Sequence, residues 1–215
     1  MVGAQPDPQP ALTTQPAAQS SSQRLSPAER RELLIDAAER TFADRGYTQA
    51  GLAEVAEVAG VSKTLLYHYF PDGRPELYRE VMDRLVDQVV EVLADAVGAP
   101  SPTRERLSGL VDGLLGYFEE HTDAYRLLIL EPWGSGDAGV VGQAMAVRAR
   151  LAGELNRLLA PAGQPLAMTM AGGAAALGVL LHLCELRMSG QVERDDAVDA
   201  AQRFIAAGLG ALDLL

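Results

Sequence analysis

The chain has 215 residues, 48% of them hydrophobic, with a formal net charge of −11 and one cysteine, Cys184. That length holds one large domain or two smaller ones with a sizeable core, while the acidic balance repels nucleic acid and anionic membranes, so any such contact has to come from a local patch. A single thiol excludes an internal disulfide and no Cys/His spacing points to zinc, so no metal or cofactor is expected, and Cys184 reads as a buried small apolar residue in a reducing cytoplasm.

Residues 1–25 are rich in Pro, Gln, Ser and Ala, with no basic start and no continuous apolar run. They read as a disordered tail and not as a secretory signal. From there on the periodicity is helical and no strand pattern stands out, so the fold class is all-α. Ser26, Pro27 and Glu29 form a capping-box signature, followed by the apolar stripe Leu34, Ala38, Phe42 and a stop at Gly46. A second helix carries Leu52, Val55, Ala56 and Ala59 and breaks at Gly60-Val61. Ser62 caps a short third helix that ends near Phe70. A long fourth helix begins near Pro75 and carries Leu77, Val81, Leu85 and Val89. Further helices are expected at about 102–120, 122–131, 138–160, 165–188 and 193–213, about nine in all.

The stretch AGVSKTLLYHYF, residues 59–70, contains Lys63, the only lysine of the chain. Two short helices joined by such a turn make a helix-turn-helix, with the first helix as buttress. At about 100° per residue, Leu66 and Phe70 share the core side of the third helix. Thr64, Leu65 and His68 lie opposite, flanked by Lys63 and Tyr67. Such a face fits a major groove: the backbone N–H groups after Ser62 suit a phosphate, as do the Tyr and His side chains, and Leu65 suits either a thymine methyl or packing. Residues 24–80 hold eight basic and ten acidic groups, residues 81–215 ten and eighteen. The front segment is therefore the less acidic one without being basic, and DNA contact rests on how its charges are arranged.

RELLIDAAERTFADRGY, LAEVAEVAGVSKTLLYHYF and ELYREV, over about residues 28–82, resemble the DNA-binding domain of TetR-family transcriptional regulators. The resemblance implies a three-helix helix-turn-helix domain, here 26–74 with the motif at about 50–69. A larger helical ligand-binding and dimerisation domain, here 75–215, would follow. It further implies a homodimer on a roughly palindromic double-stranded operator, acting most often as a repressor released by a small-molecule effector. Lys63 and Thr64 occupy the positions that tend to read bases, and Tyr67, His68 and Tyr69 those that tend to hold the DNA backbone. Two departures stand out. Ala50-Gly51 replaces the usual Thr or Ser-Thr before the second helix, leaving Thr48 as the nearby hydroxyl, and FPDGRPEL is one residue longer than the family pattern, offering Arg74 for its phosphate-binding Lys.

In the larger half, the expected pocket residues are Tyr117, Phe118, His121, Tyr125, Trp133, Met145 and His182. The uncharged run 166–184 reads as a buried interface helix and not as a membrane span, because it is rich in Ala and Gly and stands alone. Gly172, Gly173, Ala176 and Gly178, with Ala200, Ala201, Ala206, Ala207 and Gly208, are expected to let helices approach across a two-fold axis, making a dimer interface through about 165–213. Nothing supports a catalytic site. The three histidines are far apart in sequence, Glu119-Glu120-His121 lacks metal-ligand spacing, and no GxSxG, P-loop or GxGxxG occurs in its required strand–helix setting.

Overall fold

The computed structural model describes residues 25–96, 103–159 and 166–211. Residues 1–24 of the expected tail lie outside the described residues, as does the Trp133 side chain. Every element among the described residues is helical: α1 (Pro27–Arg45), α2 (Leu52–Val58), α3 (Lys63–Tyr69), α4 (Arg74–Ala96), α5 (Thr103–Glu120), α6 (Thr122–Tyr125), a π-turn (Arg126–Leu130), α7 (Glu131–Gly134), α8 (Ala138–Leu159), α9 (Leu166–Met188) and α10 (Arg194–Ala211). The single helix expected at 122–131 is thus three segments running to Gly134, with a widened turn in the middle.

The local signals behave as their chemistry requires. Ser26 Oγ accepts the Glu29 N–H and the Glu29 carboxylate accepts the Ser26 N–H, closing the capping box. Gly46 ends α1 at φ +74°, a conformation that costs other residues about 1–2 kcal/mol. Leu34, Ala38 and Phe42 from α1 meet Val55 and Ala56 from α2, Leu66 from α3 and Phe70 in one buried core, which Leu77, Val81, Leu85 and Val89 carry along α4 into the larger domain. Arg84 on α4 pairs with Glu32, Asp36 and Glu39 on α1, and Arg31 reaches Glu80 at 2.7 Å. These links make α1 and α4 one body, so the helix-turn-helix follows the tilt of α4.

In the larger domain α5 and α8 pack on α4, α9 packs on α8 and α5, and α10 closes the bundle against α5 and α9. Glu119 of α5 pairs with Arg187 of α9 and Arg194 of α10, and Arg194 also donates to the Asp112 carbonyl at 2.9 Å. Met170–Met188 is apolar enough by length and composition to cross a membrane, yet it carries Gly172, Gly173, Ala176, Leu177, Leu180, Leu181 and Cys184 as buried residues within the bundle. The small residues of α9 divide between two tasks. A Cβ on Gly173 would lie 2.6 Å from the Ala152 carbonyl oxygen of α8, so this glycine serves packing within the chain. Ala171, Ala174, Ala175 and Gly178 form the outward stripe, beside an exposed Phe204 on α10. Gly172, Gly173 and Ala176, expected at a dimer contact, are buried within the chain, and Gly172 and Ala176 also line the floor of an apolar groove between α9 and α10.

Burial, and secondarily the charge of Glu119, push the Cys184 thiol up from its ordinary 9.0 to about 12. Cys184 is expected to stay silent to a disulfide reagent at pH 8 in the native protein and to react fully in denaturant. Tyr78 and Tyr117 are also raised, chiefly by burial. In these groups the native state holds protons that the unfolded chain gives up. Their stabilising contribution is therefore complete below pH 9 and is lost as pH rises above it, which thermal melts at pH 8 and pH 11 would measure.

Candidate nucleic-acid interface

The joint between α2 and α3 is set by Gly60 at φ +67°: its N–H donates to the Glu57 carbonyl, and the Val61 N–H to that of Ala56. This is a Schellman closure, and it turns the chain sharply into α3. Ser62 caps α3, its Oγ accepting the Leu65 N–H at 3.2 Å. Leu66 and Phe70 are then fully buried while Lys63, Thr64, Tyr67 and His68 are exposed and Leu65 and Tyr69 half-buried. The structure thus brings Lys63, Thr64, Tyr67 and His68 to one surface, with Ser62 at its edge. Lys63 Nζ lies 5.8 Å from the Tyr67 ring centre and has no carboxylate partner among the described residues. His68 and Tyr69 meet edge to face at 5.5 Å. The result is a single cation flanked by aromatic groups with polar tips, on a helix of seven residues.

The two departures have clear structural consequences. Gly51 is the N-cap of α2 and provides no side-chain hydrogen bond. Its φ of −94° and ψ of 141° suit any residue, and a Cβ there meets nothing within 4 Å. Gly51→Ser is expected to stabilise the fold by about 0.5–1 kcal/mol, through a new cap and a less flexible unfolded chain, as urea melts would report. Thr48 is exposed, and its carbonyl accepts Arg74 Nη1 at 3.0 Å. The Arg74 guanidinium also lies 4.6 Å over the Tyr47 ring. The inserted residue is taken up at Gly73 (φ +72°), where a Cβ would come within 3.3 Å of Leu52. Arg74 is therefore engaged with the loop between α1 and α2.

The expected pocket residues do not form one cavity. Tyr117, Phe118 and Tyr125 are buried and packed, with Phe118 5.5 Å from Tyr117 and 5.9 Å from Tyr125. The Tyr117 hydroxyl donates to Gln88 at 2.8 Å, and the exposed His121 stacks on Tyr117 at 4.5 Å. Met145 is 59% exposed, away from this cluster. His182 lines a separate groove of about 470 Å³ with Ile129, Leu130, Arg148, Gly178, Leu181 and Glu185. Sequence reasoning missed Ile129, Leu130 and Arg148, because ordinary apolar and charged helix residues carry no signal that they face a groove.

The comparisons with known proteins agree with this geometry. The family model described as bacterial regulatory proteins, tetR family, matches residues 34–81, from the middle of α1 into α4. The HTH-type transcriptional activator FasR of Mycolicibacterium smegmatis is 30% identical over 193 residues, covering 89% of this chain and 88% of that protein. A TetR-like transcriptional regulator from Rhodococcus sp. RHA1 superposes with a TM-score of 0.67 at 27% identity, covering 87% of this chain and 99% of that one. The transcriptional regulator FadR of Bacillus subtilis, solved in complex with stearoyl-CoA, superposes with a TM-score of 0.67 at 16% identity, over 82% of this chain and 98% of its own, a likeness of fold alone. The helix-turn-helix, the all-helical second domain and a relative matched over nearly its whole length agree: the chain belongs to the TetR family of DNA-binding transcriptional regulators.

Proposed function

We propose that the protein is a cytoplasmic homodimer that holds a roughly palindromic operator through two copies of α3 and releases it when a small, largely apolar molecule binds the larger domain. The observation that carries this reading is the exposed set Lys63, Thr64, Tyr67 and His68 on a helix whose opposite side, Leu66 and Phe70, is locked in the core. In this reading Lys63 and Thr64 touch base edges, with Lys63 donating to guanine O6 and N7. Tyr67, His68 and the half-buried Tyr69 touch phosphates, together with Ser62 at the helix start. Leu65, Thr48 and Arg74 support the surface from its rim.

The partner copy is placed on the outward stripe of α9 and α10. Phe204 is 68% exposed and Met170 59%, and a shallow apolar groove of about 70 Å³ runs between the two helices beside Ala175 and Val179. An exposed Phe and Met beside an apolar groove fit a face covered by a second copy of the chain. Phe204→Arg is expected to yield monomers in sedimentation at micromolar concentration. Ala176 lines the same groove but is 4% exposed, so Arg there would also strain the bundle, and Phe204→Arg is the cleaner test.

The test of DNA binding is selection of duplexes from a random pool, followed by binding of Lys63→Ala to the selected and scrambled sequences. Loss of Lys63 is expected to cost about 1–3 kcal/mol and to relax the base preference. Equal specificity in both proteins would refute the base-reading role. Tyr67→Phe is expected to weaken all sequences alike. The effector is sought by thermal shift with apolar metabolites, acyl-CoA thioesters among them, with release of the selected duplex as the second readout. An effector that moves the population from 99:1 to 1:99 has to prefer the released state by about 5.5 kcal/mol. Where the operator overlaps a promoter, occupancy represses. The second reading is activation from an upstream operator, favoured by the FasR relative, which is named as an activator.

A further inference from the structure

The helix from Thr122 to Gly134 is interrupted by the π-turn, where the Glu131 N–H donates to the Arg126 carbonyl five residues back. Pro132 supplies the cause. In a regular α-helix its ring presses on the carbonyl four residues back, that of Leu128, and widening the turn relieves this contact. A π-turn holds one surplus residue, so everything after it is rotated by about 100° from where an unbroken α-helix would place it. Glu131 is the first residue to feel that rotation.

In this register Glu131 Oε1 accepts the Tyr47 N–H at 2.8 Å, a bond from the larger domain to the loop that leads into α2. Gly46 makes room for it, since a Cβ there would lie 2.8 Å from Glu131 Oε1. The Tyr47 ring packs 4.8 Å from that of Tyr78 and lies under the Arg74 guanidinium, which itself donates to the Thr48 carbonyl. Fixing the Tyr47 amide therefore fixes the whole 46–51 loop. The same turn borders two grooves, one of which Glu131 and Gly46 themselves line. Ile129 and Leu130 line the groove of about 470 Å³ that holds Arg148 and His182. Leu130 also lines one of about 350 Å³ against Asp44 and Arg126, at the joint with α1.

We propose that Glu131 is a positioning residue: the π-register imposed by Pro132 seats it on the Tyr47 amide, and this bond sets the angle at which the helix-turn-helix is held on the larger domain. The inference rests on the DNA-binding reading above, so its first readout needs no DNA. Hydrogen exchange of the Tyr47 amide is expected to rise about tenfold in Glu131→Ala, the loss of one charge-assisted hydrogen bond, and to stay near wild type in Glu131→Gln, whose amide oxygen still accepts. Pro132→Ala, which lets the turn close to an α-turn, is expected to release the amide as fully as Glu131→Ala. The second readout is affinity for a duplex selected by the wild type from a random pool. It is expected to fall about fivefold in Glu131→Ala and Pro132→Ala, because a loosened domain is less preorganised for two half-sites, and to hold in Glu131→Gln. Unchanged Tyr47 exchange in Glu131→Ala overturns the proposal. So does unchanged affinity despite faster exchange, or a Gln variant that loses affinity and thermal midpoint as the Ala variant does. If the wild type selects no duplex, the DNA-binding reading fails, while the Tyr47 exchange still decides whether Glu131 holds the loop.

Discussion

Phe42→Ala is expected to lose about 3–5 kcal/mol of stability, the cost of emptying a large and fully enclosed aromatic site. Phe42 is 1% exposed, and its ring stands edge-on to Tyr78 at 5.3 Å and lies 6.1 Å from Tyr47. It thereby joins α1, α4 and the loop to α2 at one point. The aromatic contacts add to the transfer cost, because Tyr78 and Tyr47 cannot close on the void without breaking their own packing. In a protein of this size the loss corresponds to a drop of about 6–20 °C in the thermal midpoint. Calorimetry is the measurement, and a midpoint within about 3 °C of wild type would contradict the packing.

Gly173→Val is expected to cost about 3 kcal/mol or more, for the opposite reason: there is no space to fill. The added Cβ would sit 2.6 Å from the Ala152 carbonyl oxygen and 3.0 Å from the Asn156 Cβ. The first of these is backbone, so α8 and α9 have to move apart along their length. Gly153→Ala is the control, an exposed helical glycine whose added Cβ meets nothing within 4 Å. It is expected to gain about 0.5–1 kcal/mol from helix propensity. Urea denaturation of the two variants side by side separates close approach from a general effect of replacing glycine. Similar shifts in both would show that α8 and α9 do not meet at Gly173.

What was legible in the amino-acid sequence lies within a few residues along the chain. The Ser26–Glu29 box, the stop at Gly46, the turn at Gly60 and the split of α3 into a buried Leu66–Phe70 side and an exposed Lys63–His68 side all appear as expected. Caps, left-handed glycines and helical periodicity are decided by neighbours three or four positions away, so the residues that decide them stand side by side in the sequence.

Only the tertiary structure chose partners. Arg74 lies over Tyr47, Gly173 meets Ala152, and Tyr117, Phe118 and Tyr125 pack against one another while Met145 stands apart. The Glu131–Tyr47 bond spans 84 positions. Glu131 carries no local mark: a glutamate before a proline reads as a helix start, and its role depends on a π-turn that rotates it toward a loop in another domain. Periodicity says which side of a helix is apolar, but not which helix will cover it, because that choice depends on how all the helices fill the common core at once.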